Sequence, residues 1–172
     1  MCTLHACRSY IDVAKSVKLW YSNTWQAFIE TKNIYEVKTM AIKYKDTHEF
    51  SREELERLFL SVDWSSGHFP DKLVIAMKNY DTVYSAWDGD KLIGMICAMD
   101  DGIMTAYIHY LLVDPGYQGH NIGKALVEMA KEHYRDYLCI ALITYDKKLA
   151  FYEKCGFEKS DDSSAMFITS LH

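Results

Sequence analysis

The stretch that decides the fold runs from residue 113 to residue 126 and reads VDPGYQGHNIGKAL. An apolar run leads into it, and residues 122–134 then carry apolar side chains at helical spacing. The stretch therefore predicts a strand that ends near Val113, a tight glycine-bearing loop, and a helix that begins near Ile122.

A helix that begins at this place offers a binding site for an anion. The first N–H groups of a helix lack partners within it, and the helix dipole adds a partial positive charge. A diphosphate binds well to such an end without many basic side chains. Gly119 and Gly123 lack a Cβ, so the backbone can approach a ligand closely. A plain connection between a strand and a helix explains the same glycines, and their spacing alone does not decide between the two interpretations.

The surrounding segments predict a mixed α/β domain in which helices cover one sheet. Before the stretch, the pattern predicts a strand after Met40, helices at 51–62 and from Pro70 onward, and strands at 83–87, 92–99 and 105–113. After it, the pattern predicts a helix at 122–134, a buried strand at 138–144, a helix at about 147–154, and last strands near Phe157 and at 165–170.

Residues 1–39 differ from the rest, because they show only a loose helical pattern without glycine or proline. We expect a compact domain at 40–172, preceded by an extension that is helical or loosely ordered. The extension is either an added helix or two, or an upstream translated stretch outside the functional unit.

Composition limits the classes of partner and compartment. The chain has 172 residues and a net charge of −5, which argues against nucleic acid and mildly favours a cationic substrate. No apolar run approaches the roughly 18 residues of a membrane helix, and the start lacks a secretory signal. The five cysteines have no metal-ligand spacing. We therefore expect no metal, no membrane partner, and a reduced, cytoplasmic compartment.

Two motifs carry a family resemblance. Residues 118–123, QGHNIG, resemble the Q/R-x-x-G-x-G/A signature of the GNAT superfamily of N-acetyltransferases, and residues 150–157, AFYEKCGF, resemble the closing segment of those enzymes. The resemblance covers about residues 40–172. It implies a GNAT-like α/β (α+β) fold, with a mixed, mostly antiparallel central sheet that is flanked by helices and splayed at the acetyl-CoA site.

Two positions depart from the pattern of the family. Asn121 replaces the first glycine of the signature, and asparagine is the residue other than glycine that best tolerates a left-handed backbone. Many members carry an asparagine shortly before the closing tyrosine, whereas residues 144–148 read TYDKK. The second departure puts contacts to the CoA arm in question.

The resemblance implies acetyl-CoA as co-substrate. The main chain of Leu111, Leu112 and Val113 would pair with pantetheine, and an amide near Leu112 would stabilise the oxyanion. The pyrophosphate would lie at the residues that open the helix, namely Gln118, Gly119, His120, Asn121, Ile122, Gly123 and Lys124. For the side chains of His120 and Lys124, exposure to solvent is the alternative to a phosphate contact.

The resemblance also suggests the groups that move protons. Tyr152 takes the place of the acid tyrosine and also contacts the co-substrate; the alternative is a helix tyrosine packed at the sheet edge. The two-residue period of a strand places Tyr107, His109, Leu111 and Val113 on one face.

On that face His109 lies toward the acceptor and is the candidate base, with a structural histidine as the alternative. Serotonin-type arylalkylamine N-acetyltransferases carry two histidines that flank one residue on this strand, and the segment from Tyr107 to His109 is similar. Tyr107 would order water or contact the substrate. Asp114 and Glu153 are weaker candidates, expected to be solvated charges.

The loop between the first two helices carries Trp64, His68 and Phe69, where the family builds its acceptor pocket. An aromatic wall of Trp64 and Phe69 suits an arylalkylamine; the alternative is that Trp64 anchors the loop in the core. We therefore expect direct acetyl transfer to the primary amine of a small molecule. A protein or peptide N-acetyltransferase, a non-catalytic acyl-CoA-binding module, and assembly as a homodimer stay open.

Overall fold

The computed structural model describes residues 41–169 and 171, so the predicted extension at 1–39 lies outside the described residues. Five strands and four α-helices follow one another along these described residues. They are β1 (Ile42–Asp46), α1 (Arg52–Ser61), α2 (Pro70–Asn79), β2 (Thr82–Asp88), β3 (Lys91–Asp100), β4 (Thr105–Val113), α3 (Ile122–His133), β5 (Cys139–Leu142) and α4 (Leu149–Lys154).

The strands form one sheet in the order β1-β2-β3-β4-β5. The first four strands pair antiparallel, and β5 pairs parallel to β4. Gly89, with φ +58°, makes the tight turn between β2 and β3, which the sequence Asp-Gly-Asp predicts. The predicted mixed, mostly antiparallel sheet is confirmed.

Helices α1 and α2 cover one face of the sheet. Ser51 caps α1: its Oγ accepts from the Glu54 N–H at 3.2 Å, and the Glu54 carboxylate accepts from the Ser51 N–H at 2.7 Å. The fully buried side chains of Leu55, Leu58 and Phe59 form the core on this face. No helix among residues 41–169 is long and apolar enough to cross a membrane.

Helix α3 covers the opposite face. Its stripe of Leu126, Val127 and Ala130 is buried against Ile96 and Ile108 of the sheet. Burying each such aliphatic side chain contributes about 2 kcal/mol. The two cores on the two faces hold β3 and β4 in the middle of the domain.

Strand β4 contains a β-bulge at His109. Cys97 pairs with Tyr110 and Ala98 pairs with Ile108, so His109 has no partner on β3. The prediction that Tyr107, His109, Leu111 and Val113 share one face is therefore wrong. Before the bulge Ile108 faces α3; after it, Leu111 and Val113 do so, whereas Tyr110 and Leu112 face α1 and α2. One inserted residue shifts the two-residue alternation by one position.

The last predicted strands are also wrong over the residues that the structure describes. Residues 157–169 carry no strand; Phe157 packs edge-on against Tyr152 with ring centroids 5.9 Å apart. The side chains of Met166, Phe167 and Ile168 are exposed. A short apolar run forms a strand only where a neighbouring strand accepts its hydrogen bonds and a core buries its side chains.

Candidate active site

A cleft opens where β4 and β5 part. The two strands pair from Thr105 with Cys139 to Ile108 with Leu142, and no further. The space beyond has a volume of about 690 Å³. Its walls come from the end of β4, the start of α3, the segment after β5, helix α4, and the residues that follow α1. This is the splayed sheet that the family resemblance implies.

The end of β4 presents backbone N–H groups to the cleft. The Asp114 N–H donates to the Ile93 carbonyl on β3 at 2.8 Å. Successive N–H groups of a strand point to opposite sides, so the Leu112 N–H also points to β3. The N–H groups of Leu111 and Val113 therefore point to the open edge. The carbonyl of Val113 accepts from the Gln118 side chain at 3.1 Å, which holds the loop against the strand.

The start of α3 forms a second wall. Asn121 precedes the helix with φ +61° and ψ +11°, which confirms that asparagine takes the left-handed conformation here. Gly119 has φ +83°. No side chain caps the helix, so the N–H groups of its first turn are open to a ligand. Lys124 and the pair at 147–148 line the cleft and add positive charge.

Asp114 anchors the loop between β4 and α3. Its carboxylate bonds to Lys91 Nζ at 2.9 Å and to the Gly116 N–H at 3.0 Å, and Arg57 lies 3.7 Å away. Burial raises the pKa of this carboxyl, but the bonds to Lys91 and Gly116 outweigh it and lower the pKa. The prediction that Asp114 is a solvated charge is wrong, because its side chain is 14% exposed.

Tyr152 lies on α4 and lines the cleft. Its ring packs edge-on against Phe151 at 5.0 Å and Phe157 at 5.9 Å. Burial raises the pKa of Tyr152 to about 12. The phenol therefore carries a proton that it can donate at neutral pH.

His109 lies at the bulge and lines the cleft. Its ring stacks on Tyr110, with centroids 4.0 Å apart and planes 20° apart, and its Nδ1 bonds to the Tyr80 hydroxyl. Part of the imidazole faces solvent, but these contacts bury the rest, and that burial lowers its pKa below the usual 6.5. The neutral imidazole needed for proton uptake therefore prevails at neutral pH.

The segment after α1 forms a further wall of the cleft. Trp64 lines the cleft and also packs 5.0 Å from the Tyr110 ring and 6.3 Å from the Phe59 ring, so it both faces the cleft and anchors the loop. Asp63 has φ +58° and lines the cleft. Its carboxylate is the only one among the described residues of the lining.

Three predicted site residues do not line the cleft. Phe69 is 45% exposed and carries Lys72 Nζ over its ring. Tyr107 lies behind His109, with ring centroids 6.1 Å apart. The His120 ring turns back onto the Tyr117 carbonyl at 3.2 Å. The other predicted site residues, Trp64, His109, Leu111, Leu112, Val113, Gln118, Gly119, Asn121, Ile122, Gly123, Lys124 and Tyr152, line it together.

Several residues of the site lack a signal in the sequence. Tyr80 touches His109 from 29 positions away. Tyr117 lines the cleft while its hydroxyl donates to the Asp88 carboxylate at 2.8 Å. Phe151 lies within a recognised motif, yet only the fold brings it to the start of α3.

Known proteins are similar to this chain in sequence and in fold. The family model described as Acetyltransferase (GNAT) family matches residues 44–157. An uncharacterized N-acetyltransferase, ycf52, of Pyropia yezoensis is 30% identical over 132 residues, which cover 70% of this chain and 75% of that protein. A GNAT-family acetyltransferase structure from Streptococcus pneumoniae is similar with a TM-score of 0.65 and 27% identity, covering 75% of this chain and 98% of that one.

A third relative has a more specific name. The soybean protein named Histone acetyltransferase TAP1 is 43% identical to this chain over 70 residues. Those residues cover 40% of this chain and 30% of the soybean protein. The match thus spans less than a third of that relative's length.

Proposed function

The chain belongs to the GNAT family of acetyltransferases, and from this we propose that it transfers the acetyl group of acetyl-CoA directly to the primary amine of a small molecule. One observation carries the proposal. His109, whose pKa burial lowers, and Tyr152, whose pKa burial raises to about 12, line one cleft together with the open edge of β4.

The walls of the cleft suit acetyl-CoA, which would supply the thioester. The uncapped start of α3 and the lysines at 124, 147 and 148 favour a diphosphate. The Val113 N–H suits an extended amide-bearing arm, because it can donate to a carbonyl of that arm as it would to a carbonyl of a neighbouring strand. These contacts would hold the thioester near the bulge.

His109 and Tyr152 would then accept and donate the protons of the reaction. A free alkyl amine with a pKa of about 10 is mostly protonated at neutral pH, so the site must remove a proton. His109 would accept it, directly or through water, as the amine nitrogen bonds to the acetyl carbon. The carbon–sulfur bond breaks, and Tyr152 would donate its phenolic proton to the sulfur. The nitrogen, which still carries one proton more than the amide, would return that proton to the phenolate, directly or through water. The Leu111 N–H lies on the open edge and would donate to the acetyl oxygen as charge develops there.

The acceptor side suits an amine with an apolar body. Asp63 supplies a negative charge that attracts an ammonium group before it loses its proton. Trp64 beside it offers an aromatic surface, on which a cation or an aryl group can lie. Both features favour a small arylalkylamine or a related amine.

Acetylation of a protein or peptide amine is the second candidate. It is favoured by the 43% identity over 70 residues to the soybean protein named a histone acetyltransferase. An open cleft would admit a lysine side chain past Trp64 in the same way as a free amine. The transferred group and the roles of His109 and Tyr152 would be unchanged.

A thiol-release screen with acetyl-CoA tests the proposal. The full chain and a version that starts at Met40 are each assayed with arylalkylamines, polyamines, amino sugars and lysine-bearing peptides. We expect the fastest release with a free arylalkylamine, together with a product heavier by one acetyl group. Faster turnover of peptides than of every free amine would favour the second candidate. Tight acetyl-CoA binding without turnover of any amine would reject both.

The proposal also includes a cytoplasmic location and assembly as a homodimer. Cys97, Cys139 and Cys155 are free thiols in the described part of the chain, which suits a reducing compartment such as the cytoplasm. Microscopy of a fluorescent fusion tests the compartment. Analytical ultracentrifugation tests the homodimer, for which a single species at the monomer mass of 20.0 kDa is the contrary result.

A further inference from the structure

Two side chains close the narrow end of the cleft. Ile108 on β4 and Leu142 on β5 form the last pair of the parallel ladder, and the two strands part beyond them. Neighbouring residues in register point to the same face of a sheet, so both side chains lie on the face that α3 covers. Both also line the cleft. We call this pair the closed end of the cleft.

The closed end is apolar and filled. Leu111 on β4 and Ile122 at the start of α3 belong to the same core cluster as the pair, and both line the cleft. Ile108 is 2% exposed and Ile122 is 1% exposed, so the core behind them is closed to solvent. The next row on the same face is the pair of Ala106 and Ile140. A group that reaches the closed end therefore meets a packed apolar wall.

The co-substrate would enter the cleft from its wide end. The uncapped first turn of α3 lies there, and a Cβ on Gly123 in that turn would be 3.6 Å from the Val113 side chain at the end of β4. Lys124 of the same turn lines the cleft. A diphosphate held by this turn lies beside Val113, so the pantetheine arm would run back along β4 toward Ile108.

The length of the arm matches the length of the strand that it follows. From Val113 back to Ile108 the strand covers about 16 Å, at about 3.3 Å per residue. About twelve bonds lead from the phosphate oxygen to the sulfur of pantetheine, as in about four residues of an extended peptide, which span about 14 Å. The sulfur would therefore lie just short of the closed end, near His109. An acyl group that continues the line of the arm points at Ile108 and Leu142.

We propose that the closed end, formed by Ile108 and Leu142, restricts the transferred acyl group to acetyl and excludes longer acyl groups. This rests on the proposed function, in which the co-substrate lies along β4. An acetyl methyl would contact the apolar wall, and its burial favours binding. Each further methylene would have to displace packed side chains, and overfilling a packed site costs more than the added burial contributes.

Leu142 is the member of the pair that suits a substitution. Ile108 is buried between the sheet and α3, whereas Leu142 is only partly buried and ends β5, the outermost strand of the described sheet. Ile140 is its matched control. It lies two positions earlier on β5, is also partly buried and packs on the same core cluster, but it does not line the cleft.

The first experiment measures binding alone, so it requires no acceptor amine. Isothermal titration calorimetry of the full chain gives the Kd values of CoA, acetyl-CoA, propionyl-CoA and butyryl-CoA. We expect butyryl-CoA to bind about tenfold more weakly than acetyl-CoA, because its additional methylenes find no space at the closed end. Butyryl-CoA binding as tight as that of acetyl-CoA would overturn the proposal, because the longer chain would then have another place to lie.

The second experiment enlarges the closed end. Leu142→Ala removes an isopropyl group and should make butyryl-CoA bind at least as tightly as acetyl-CoA, because each methylene that is then buried strengthens binding about fourfold. The Kd of CoA, which carries no acyl group, should not change. Ile140→Ala should keep the wild-type order of affinities. A preference for acetyl-CoA that persists in Leu142→Ala, or that is lost equally in Ile140→Ala, would contradict the proposal.

Two milder variants guard against misfolding of Leu142→Ala. Leu142→Val removes less volume and should raise the affinity for propionyl-CoA relative to acetyl-CoA, whereas Leu142→Met conserves the volume and should keep the wild-type preference. An unchanged ratio in Leu142→Val would contradict the role given to Leu142. Equal affinity of the wild type for every acyl-CoA would reject the closed end as a limit and leave the proposed function standing. Absence of any CoA binding would reject the proposed function, and the role of the closed end with it.

Discussion

Gly123 in the first turn of α3 lies directly against Phe151 of α4. A Cβ on Gly123 would come 3.5 Å from the Phe151 ring and 3.6 Å from the Val113 side chain. The two sequence motifs thus meet at one point of the cleft, through residues that are 28 positions apart. The missing side chain at 123 leaves the helix N–H groups accessible between these neighbours.

The first prediction separates ligand binding from stability at this point. Gly123→Ala should stabilise the fold by up to about 1 kcal/mol, because alanine favours a helix, yet weaken acetyl-CoA binding about tenfold. Gly119→Ala should destabilise the fold by about 1 kcal/mol, because its φ of +83° strains any residue with a Cβ. Calorimetry measures both effects. Unaltered acetyl-CoA affinity in Gly123→Ala would contradict the role given to this glycine.

Tyr152→Phe tests the acid. The variant keeps the ring packing on Phe151 and Phe157 but loses the proton donor, so kcat should fall about 10²-fold while the Kd for acetyl-CoA changes little. In the wild type, the pKa of about 12 keeps the phenol protonated, so no loss of rate from Tyr152 is expected below pH 10. Unchanged turnover in Tyr152→Phe would remove it as the acid.

His109→Gln tests the base through the pH dependence of kcat at saturating amine. Burial lowers the pKa of His109, so the wild-type rate should fall with acid around a midpoint below about 6.5. The variant should lose this acidic limb along with most of its rate. His133→Gln, which alters a histidine outside the cleft lining, is the control and should keep the limb. An acidic limb retained in His109→Gln would contradict the assignment of His109 as the base.

Asp63→Asn tests attraction of the acceptor. Asparagine tolerates the left-handed backbone at φ +58°, so the variant removes the charge and preserves the loop. We expect the KM for the amine to rise about fivefold, with no change in acetyl-CoA affinity. Asp90→Asn, in the turn between β2 and β3, is the control. An amine KM equal to that of the wild type would argue against Asp63 as an acceptor contact.

Asp114→Asn tests the anchor of the loop. The pKa of Asp114 is lowered in the folded chain, so its ion pairs stabilise the fold above an unfolded pKa of about 4 and lose this effect as the pH falls through the folded value. Its partners are 43% and 40% exposed, so screening limits the contribution to about 1 kcal/mol. Chemical unfolding should show a difference between variant and wild type at pH 7 that shrinks below pH 4. A difference independent of pH would contradict this account.

Local patterns predict most of the scaffold. The Ser51 capping box, the proline at the start of α2 and the turn at Gly89 each have a local physical cause, and each bounds a helix or strand that the sequence pattern predicts. The same holds for Asn121, since a left-handed backbone is a property of one residue and its neighbours. Such features follow from the chain within a few positions.

Features that depend on partners distant in the chain do not follow from the local sequence. The bulge at His109 has no glycine or proline to mark it, and only the pairing of Cys97 with Tyr110 reveals it. The contact between Tyr80 and His109 joins a helix end to a strand, and no sequence spacing encodes it. Residues 165–168 form a short apolar run of the kind found in strands, but such a run does not supply a neighbour to pair with.

The bulge divides β4 into two lengths with different duties. Before it, Ile108 faces α3; after it, Leu111 and Val113 face α3 and line the cleft, while His109 itself contacts Tyr80 and Tyr110. A substitution on one side of the bulge therefore leaves the alternation on the other side unchanged. One inserted residue thus lets the two lengths of a single strand vary independently under selection.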